Sequence, residues 1–309
     1  SGQQEGLSFI NAAFVENIYF SAGGFNSNYG DKLSSVLDIR YREPITFRGS
    51  AQLSLMGGEA HIEGMFGKAQ RGNFMTGMRY RANSYLLNSL PTQGDYDPTF
   101  FDYQLLSNYY TVYDTEDSYQ KIYLLGHFST NNYRFIPKTQ TTTWGTVNEA
   151  YQLKVYYDGQ EETKFETFTG AVGYQWKVNK RLNLHLVASS FNSRESENFD
   201  IAGEYWINQL ETDPAKEEFG DSTSNVGVGG FLDHGRNNLD VWIANASHYG
   251  KFDFKKKKNE DKNYYNYDNL RWGAKIQYES FNDQLSEWHL IDSAGYLIPQ
   301  GANETIELI

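Results

Sequence analysis

The sequence lacks cysteine entirely, is short of basic residues and has no long hydrophobic run. Without cysteine, disulfide frameworks, thiol catalysis and cysteine metal sites are excluded, while the cellular compartment stays open. A net charge of −12 argues against the phosphate backbone of a nucleic acid as a partner. No run approaches the roughly 18 apolar residues of a transmembrane helix, so the chain could cross a bilayer only as a closed barrel.

The two ends of the chain and one basic run bear on processing and location. The first residues, SGQQEG, include neither a methionine nor an apolar signal region, which suggests a processed, trimmed or partial protein. The run Lys255 to Lys258 is followed at once by acidic residues and asparagines. It is interpreted either as a solvated loop or as a patch that meets anionic lipid headgroups.

The aromatic content favours β-structure. Tyrosine and phenylalanine number 24 and 20, aromatic residues make up 16% of the chain, and glycine is plentiful. Apolar and polar residues alternate with a period of two, as in LRWGAKIQYE, where Leu270 and Ile276 share one face and Lys275 and Glu279 the other. Convincing helical periodicity is absent. The alternation predicts about eleven strands after Pro44, near 47–56, 59–67, 73–87, 100–113, 119–136, 166–178, 182–199, 225–234, 239–252, 269–280 and 287–297.

The connections between these predicted strands alternate between short and long. KAQRG, DTEDS, NKR, HGRNN and NDQLS are turn-like, whereas 88–99, 137–165, 200–224 and 253–268 are long; only the first hairpin, MGGEA, breaks the pattern. An outer-membrane barrel keeps turns on the periplasmic side and loops outside, whereas a soluble sandwich has no such reason. We therefore expect an antiparallel transmembrane β-barrel, with the Lys255 run on the cell exterior.

Tyrosine and tryptophan concentrate near the predicted strand ends, in SNYYTVY, SYQKIY, EYWI and NYYNYDNLRW. Membrane interfaces favour such amphipathic rings, so these clusters are candidates for aromatic girdles. The alternative is that tyrosine simply forms good strands and packs well.

The first 46 residues differ from the rest, because they contain short strands and glycine-rich turns. The passage FINAAFVENIYFSAGGFNSNYGDKLSSVLDIRYREP resembles the end of the plug domain of TonB-dependent outer-membrane receptors of the Bacteroidetes type. Later phrases, GGEAHIEG, GMRYRANSYLLNSLPTQGDYDPTFFDYQ and WGTVNEAYQLKVYYDGQE, resemble the early barrel of that family. The resemblance covers residues 1 to about 180. Asp38 and Arg40 suit the polar inner wall of a barrel, and the plug-motif candidates are Gly23, Gly24, Tyr29, Gly30 and Asp31.

The resemblance implies a division into residues 1–46, the end of a plug, and residues 47–309, about half of a 22-stranded barrel. It also implies energised import of a bulky nutrient such as a glycan, peptide or metal chelate across the bacterial outer membrane. Its partners would be TonB, a possible surface lipoprotein and outer-membrane lipid. The TonB-binding segment of the family is not recognised here, and NETIELI lacks a terminal aromatic strand, so we expect a piece of a longer receptor.

Two sets of residues are candidates for transport. Polar strand positions expected to face the lumen are Arg79, Arg81, Arg271, Lys275, Gln277 and Glu279. They are as suited to contacts with the plug or with each other as to a substrate. Aromatic residues expected in the long loops, where they could stack on a sugar or peptide side chain or simply pack, are Tyr96, Phe100, Trp144, Tyr205 and Trp206.

Signals for catalysis or metal binding are weak. The six histidines show no metal-ligand spacing, and no nucleophile elbow, phosphate loop or dinucleotide fingerprint occurs. We therefore expect no catalytic residue, metal or cofactor. The carboxylate pairs Asp95/Asp97, Asp114/Asp117 and Glu161/Glu162 are read as solvated turns, with calcium binding as the alternative. Two other functions stay open: a secreted all-β carbohydrate-binding or adhesin module, and a soluble β-rich hydrolase.

Overall fold

A computed structural model describes residues 10–23, 34–84, 94–254, 257–258, 265–266 and 268–292. The fold is all-β, and its sheets are antiparallel. Two 3-10 helices, Ala12–Phe14 and Lys68–Gln70, accompany the strands. The strands are β1 Val15–Ser21, β2 Val36–Tyr41, β3 Arg48–Ser54, β4 Gly57–Phe66, β5 Gly72–Ala82, β6 Gly94–Thr115, β7 Ser118–Pro137, β8 Gln140–Gly145, β9 Ala150–Lys177, β10 Leu182–Leu210, β11 Ser222–Asp253, β12 Lys257–Lys258, β13 Tyr265–Asn266, β14 Asn269–Gln284 and β15 Glu287–Asp292.

One large sheet dominates the molecule. Its strands follow the order β14-β11-β10-β9-β7-β6-β5-β4-β3, with β8 paired to β9 and β15 paired to β11. Neighbouring strands on this path follow one another in the sequence in an up-and-down arrangement, except that β8 intervenes between β7 and β9, and β12 and β13 intervene between β11 and β14. Within the described part of the chain the sheet is open, with β3 at one edge and β14 and β15 at the other.

The N-terminal part forms a small unit of its own. Strands β1 and β2 pair as a separate two-stranded sheet, from Ser21 opposite Val36 to Val15 opposite Tyr41. The 3-10 helix before β1 begins at Asn11, whose side chain accepts a hydrogen bond from the backbone N–H of Ala13. Each helix in the described ranges falls short of the length and apolar character that a membrane span requires.

Two expected turns are not turns. The predicted strands 225–234 and 239–252 are one strand, β11, because β10 offers it pairing partners continuously from Phe252 to Gly227. The HGRNN stretch inside β11 is also bound to β10 by one of its side chains: Arg236 donates hydrogen bonds to the Asp200 carboxylate and to the carbonyl of Phe199. The NDQLS stretch does not reverse the chain either, because β14 before it and β15 after it both pair antiparallel with β11. It is a short interruption between two segments that run in the same direction.

The expected alternation of loop lengths also changes. Strands β9 and β10 extend through much of 150–165 and 200–210, so the connections there are shorter than expected. Because β11 is a single strand, the 254–268 connection starts after Asp253 and ends before Asn269 at the same end of the sheet as the turns 67–71, 116–117 and 178–181. The expectation that it accompanies the long connections is wrong. Lys255 and Lys256 themselves lie outside the described residues.

The large sheet has two chemically distinct faces. One face, here called the apolar face, includes Met78, Phe168, Trp242 and Ile276, all of which are exposed. The opposite face, here called the polar face, carries most of the buried polar and charged residues: Glu63, Asn73, Arg79, Asp102, Gln104, His127, Thr163 and Asn237. In the register, Arg79 lies opposite Asp102, and Gln104 lies opposite His127. This distribution is inverted relative to a soluble globule, which buries its apolar side chains.

Candidate functional site

The candidate site is the part of the polar face that the N-terminal segment covers, a name used here for the described residues 10–23 and 34–46. At its centre Arg79 on β5 donates from Nε to Asp102 Oδ1 at 3.0 Å and from Nη2 to Oδ2 at 2.5 Å. Gln104 Nε2 donates to the same carboxylate at 3.4 Å, and His127 Nε2 lies 3.8 Å from it. Asp102 is only 1% exposed and Arg79 7%. A charge buried this deeply requires a charged partner, which each supplies to the other.

The N-terminal segment contacts this buried pair directly. Arg79 Nη1 donates to the carbonyl of Ile10 at 3.3 Å, so the guanidinium joins the sheet to the segment. Tyr41, the last residue of β2, lines a narrow crevice together with Gln104 and His127. The ionic centre is therefore shared between the wall of the sheet and the segment lying on it.

A second ionic contact lies beside β4. Arg42 Nη2 donates to Glu63 Oε2 at 2.7 Å and to the carbonyl of Ala13 at 2.5 Å. Arg48 on β3 approaches the other carboxylate oxygen of Glu63 at 3.5 Å. Glu63 is 1% exposed, so a single buried carboxylate links two points of the N-terminal segment and the edge strand of the sheet.

The apolar part of the contact depends on one ring and one glycine. Phe14, the last residue of the first 3-10 helix, is fully buried. A Cβ atom at Gly77 on β5 would lie 3.0 Å from Phe14 Cζ and 3.0 Å from the carbonyl oxygen of Ala60. The ring therefore seats against β5 only because position 77 has no side chain.

A clamp at Glu43 fixes the chain between β2 and β3. Its carboxylate accepts hydrogen bonds from Lys121 Nζ at 2.6 Å and from Tyr110 Oη at 2.8 Å. Burial by itself raises the pKa of Glu43, but the charge of Lys121 and the hydrogen bonds from Lys121, Tyr110 and Asn73 outweigh it and lower the pKa below its usual value. The carboxylate is thus ionised while it is clamped.

The six polar candidates from the sequence share the polar face, but the structure separates them. Arg79 belongs to the buried centre, and Arg81, two residues on, pairs with Glu59 at 2.9 Å. The other four lie on the exposed edge strand β14, where Gln277 donates to Glu279. Each of these four residues lies opposite a residue of β11: Arg271 opposite Lys251, Lys275 opposite Ser247, Gln277 opposite Asn245 and Glu279 opposite Ile243.

The five aromatic candidates lie in strands rather than in loops, because β6, β8 and β10 extend further than the alternation predicted. Tyr96 stacks near Phe135 at 4.7 Å between ring centroids, and Phe100 lies 5.9 Å from the guanidinium carbon of Arg79. Register places Tyr96, Phe100, Trp144 and Tyr205 on the polar face, whereas Trp206 points to the opposite side.

Sequence reasoning missed the acidic and histidine members of this site. Asp102, Glu63 and His127 were available as polar positions of predicted strands, in phase with the apolar alternation of their neighbours. Of the plug-motif candidates, Gly23 lies two residues after the end of β1, with φ +136°, in the backbone region that favours glycine. Asp38 and Arg40 lie in β2, with Arg40 exposed. Gly24, Tyr29, Gly30 and Asp31 lie outside the described residues.

The donor set fits ion pairing better than metal binding. Within the described ranges, no three histidine or carboxylate side chains converge in a geometry that could hold a metal ion. Two of the six carboxylates considered for calcium have lysine partners: Asp95 pairs with Lys138, and Asp117 lies 3.1 Å from Lys180 Nζ. What the site can do chemically is hold a polypeptide segment on a sheet through buried charges.

The chain matches no protein family model, no curated protein and no solved structure.

Proposed function

We propose that the chain belongs to a plugged outer-membrane β-barrel that imports a bulky nutrient with energy delivered by TonB. In this proposal residues 1–46 are the end of the plug, the large sheet is part of the barrel wall, and the polar face lines the lumen. Further strands beyond the open edges of the described sheet would close the barrel.

The observation that carries the proposal is the length of the exposed apolar band. On β9 the apolar-face residues from Phe168 to Trp176 carry no charge, over nine residues, before Glu166 follows on the same face. On β11 the corresponding stretch runs from Trp242 to Phe252, over eleven residues. A tilted strand needs about 9–11 residues to span a bilayer. Each stretch has a tryptophan at one end and a phenylalanine at the other: Phe168 and Trp176 on β9, Trp242 and Phe252 on β11. Aromatic residues at both ends are typical of the rims of such barrels.

The polar face supports the plug assignment. Two buried charges of the sheet meet the N-terminal segment: Arg79 donates to the carbonyl of Ile10, and Glu63 accepts from Arg42. A wide barrel without a filling would leak, so a polar segment seated on a polar wall is the arrangement that a plugged importer needs. The secreted binding module has less support, because a soluble sandwich would bury the face that is exposed here.

The membrane part of the proposal is tested by a pair of adjacent substitutions on β14. Ile276, on the apolar face, is 77% exposed, and Gln277, on the polar face, is also exposed. In a bilayer, Ile276→Arg should cost about 2–4 kcal/mol of folding free energy, because the charge meets lipid, while Gln277→Arg should be nearly neutral. The measurement is urea titration of the intact protein in lipid vesicles. Equal tolerance of both substitutions would count against a membrane-spanning sheet.

The plug part is tested by removing residues 10–46 from the intact protein. Cells that carry the shortened protein in the outer membrane should become permeable to an antibiotic too large for porins, because the lumen loses its filling. Cells with the intact protein serve as the control. If the shortened protein reaches the membrane and permeability does not change, the segment is not a plug.

A further inference from the structure

A cavity opens on the apolar face just beyond the exposed apolar band. Its volume is about 330 Å³. It lies across four adjacent strands, so no single element builds it. The side chains that matter for its chemistry are Lys164 and Glu166 from β9, Arg194 from β10, Asp240 from β11, and Asn282 and Gln284 from β14.

The register fixes the level of this cavity. Glu166, Arg194, Asp240 and Asn282 lie opposite one another in successive strands. Two residues further along the same face of β9 and β11 lie Phe168 and Trp242, the last aromatic residues of the band. In a membrane-spanning sheet this position corresponds to the lipid headgroup layer, which follows directly on the aromatic rim.

The cationic groups at this level retain donor capacity. Arg194 has a side chain 68% exposed, and its Nε lies 3.7 Å from Asp240 Oδ2, beyond hydrogen-bond distance. Asp240 instead accepts a hydrogen bond from Asn192 Nδ2 at 2.9 Å. The guanidinium fork carries five N–H donors and suits a phosphate group.

The remaining lining completes a mixed site. Lys164 Nζ contacts Glu166 Oε1 at 2.7 Å and, as an ammonium, has two further N–H donors. The amide side chains of Asn282 and Gln284 can both donate to and accept from hydroxyl groups. Two cations close to amides and carboxylates favour a ligand that carries both phosphate and sugar hydroxyls.

We propose that this cavity binds the phosphorylated sugar headgroup of an outer-leaflet lipid. Arg194 and Lys164 hold the phosphate, and the amides of Asn282 and Gln284 hold the sugar. The acyl chains lie along the apolar face below, beside Phe168 and Trp242. The occupant is a lipid rather than a free sugar phosphate because the exposed Phe168 and Trp242 lie on the same face, each two residues along its strand from the lining residues Glu166 and Asp240. This inference rests on the proposed membrane location.

The first test uses the double variant Lys164→Gln/Arg194→Gln in the intact protein. The probe is lipid A carrying its phosphates, added in detergent micelles, with the dephosphorylated form in a parallel titration. The wild type should bind the phosphorylated lipid about tenfold or more tightly than the dephosphorylated one, since each lost charged hydrogen bond is worth about one order of magnitude. In the double variant this preference should disappear. The control is Lys180→Gln, which removes an exposed lysine in the 178–181 turn at the other end of the sheet.

The outcomes separate this inference from the proposed function. If the wild type inserts in vesicles but shows no preference for the phosphorylated lipid, the headgroup site is overturned and the membrane assignment survives. Inorganic phosphate that competes as strongly as the lipid would also overturn it, in favour of a soluble anion site. If the double variant fails to fold, the wild type's relative affinity for the phosphorylated and dephosphorylated lipids still decides whether the cavity recognises the phosphate. Failure of the wild type to insert would refute the proposed function itself.

Discussion

The two halves of the large sheet share the same alternation of apolar and polar residues but differ in how far the residues of the polar face are exposed. In the half from β3 to β7, Glu63, Asp102 and His127 are no more than 3% exposed, because the described part of the N-terminal segment lies over them. In the half from β9 to β14, the edge residues Arg271 and Lys275 are exposed. Thr163 and Asn237 are buried polar residues of this second half, and both bond to glutamate side chains.

The difference teaches that the strand pattern alone does not decide burial on this face. Glu63, Asp102 and His127 are enclosed where the N-terminal segment covers the sheet, whereas Thr163 and Asn237 are enclosed beside glutamate side chains of the sheet itself. The same polar residue types are solvated at the open edge and enclosed in the covered half. Enclosed charges require partners with good geometry, so the covered half has acquired paired side chains such as Arg79 and Asp102. The covered half should therefore be sensitive to substitutions that the open half tolerates.

The largest effect is expected from Asp102→Ala. Removing this carboxylate leaves the buried Arg79 guanidinium uncompensated, which typically costs about 3–5 kcal/mol. The measurement is the urea midpoint of the intact protein, followed by tryptophan fluorescence.

The matched control is Glu279→Ala on the polar face of the open half, where the side chain is exposed and should change stability by no more than about 0.5 kcal/mol. A second variant, Arg79→Met/Asp102→Leu, removes both charges and should recover much of the loss. Comparable losses for Asp102→Ala and Glu279→Ala would erase the distinction between the halves.

A smaller effect is expected from Gly77→Ala. The new methyl group would lie 3.0 Å from Phe14 and from the Ala60 carbonyl, and such overpacking costs about 1–3 kcal/mol. Gly126→Ala on β7 is the control, because a Cβ atom there points to the apolar face and meets nothing within 4 Å. Protease sensitivity of residues 10–46 should rise in Gly77→Ala alone. If Gly126→Ala loosens the segment as much, the seat of Phe14 is not what holds it.

Much of the sheet could be predicted from alternation. In 269–280 apolar and polar residues alternate strictly, and β14 spans Asn269–Gln284 with the expected faces. The prediction failed at 234–238, where His-Gly-Arg-Asn-Asn has the composition of a turn. Pairing with β10 and the bonds of Arg236 to Asp200 override that local preference. Tertiary partners of this kind cannot be seen in a short stretch of sequence.

The candidate site was only half accessible to sequence reasoning. Arg79 was selected from strand phase, but its partner Asp102 is 23 residues away on another strand. Which polar residue faces which depends on the register between β5 and β6, and register is set by the whole pairing. The clamp at Glu43 joins positions 78 residues apart and leaves no local signal.

The smallest effect is expected at this clamp and depends on pH. Because its pKa is lowered in the folded protein, ionised Glu43 stabilises the folded state fully above the ordinary glutamate pKa, and this contribution is lost as pH falls through the lowered value. The carboxylate is partly exposed, so the ion pair with Lys121 is worth no more than about 1 kcal/mol. Glu43→Gln should therefore exchange backbone amides near residues 42–47 faster at neutral pH, and should show little of the acid dependence seen in the wild type. Arg81→Gln is the control, because it removes an ion pair that lies within the covered half but does not involve the N-terminal segment.

Acid-dependent exchange that persists in Glu43→Gln would assign the titration to another group. The segment would then be held by Arg42, by Phe14 and by the hydrogen bond from Arg79 to the carbonyl of Ile10.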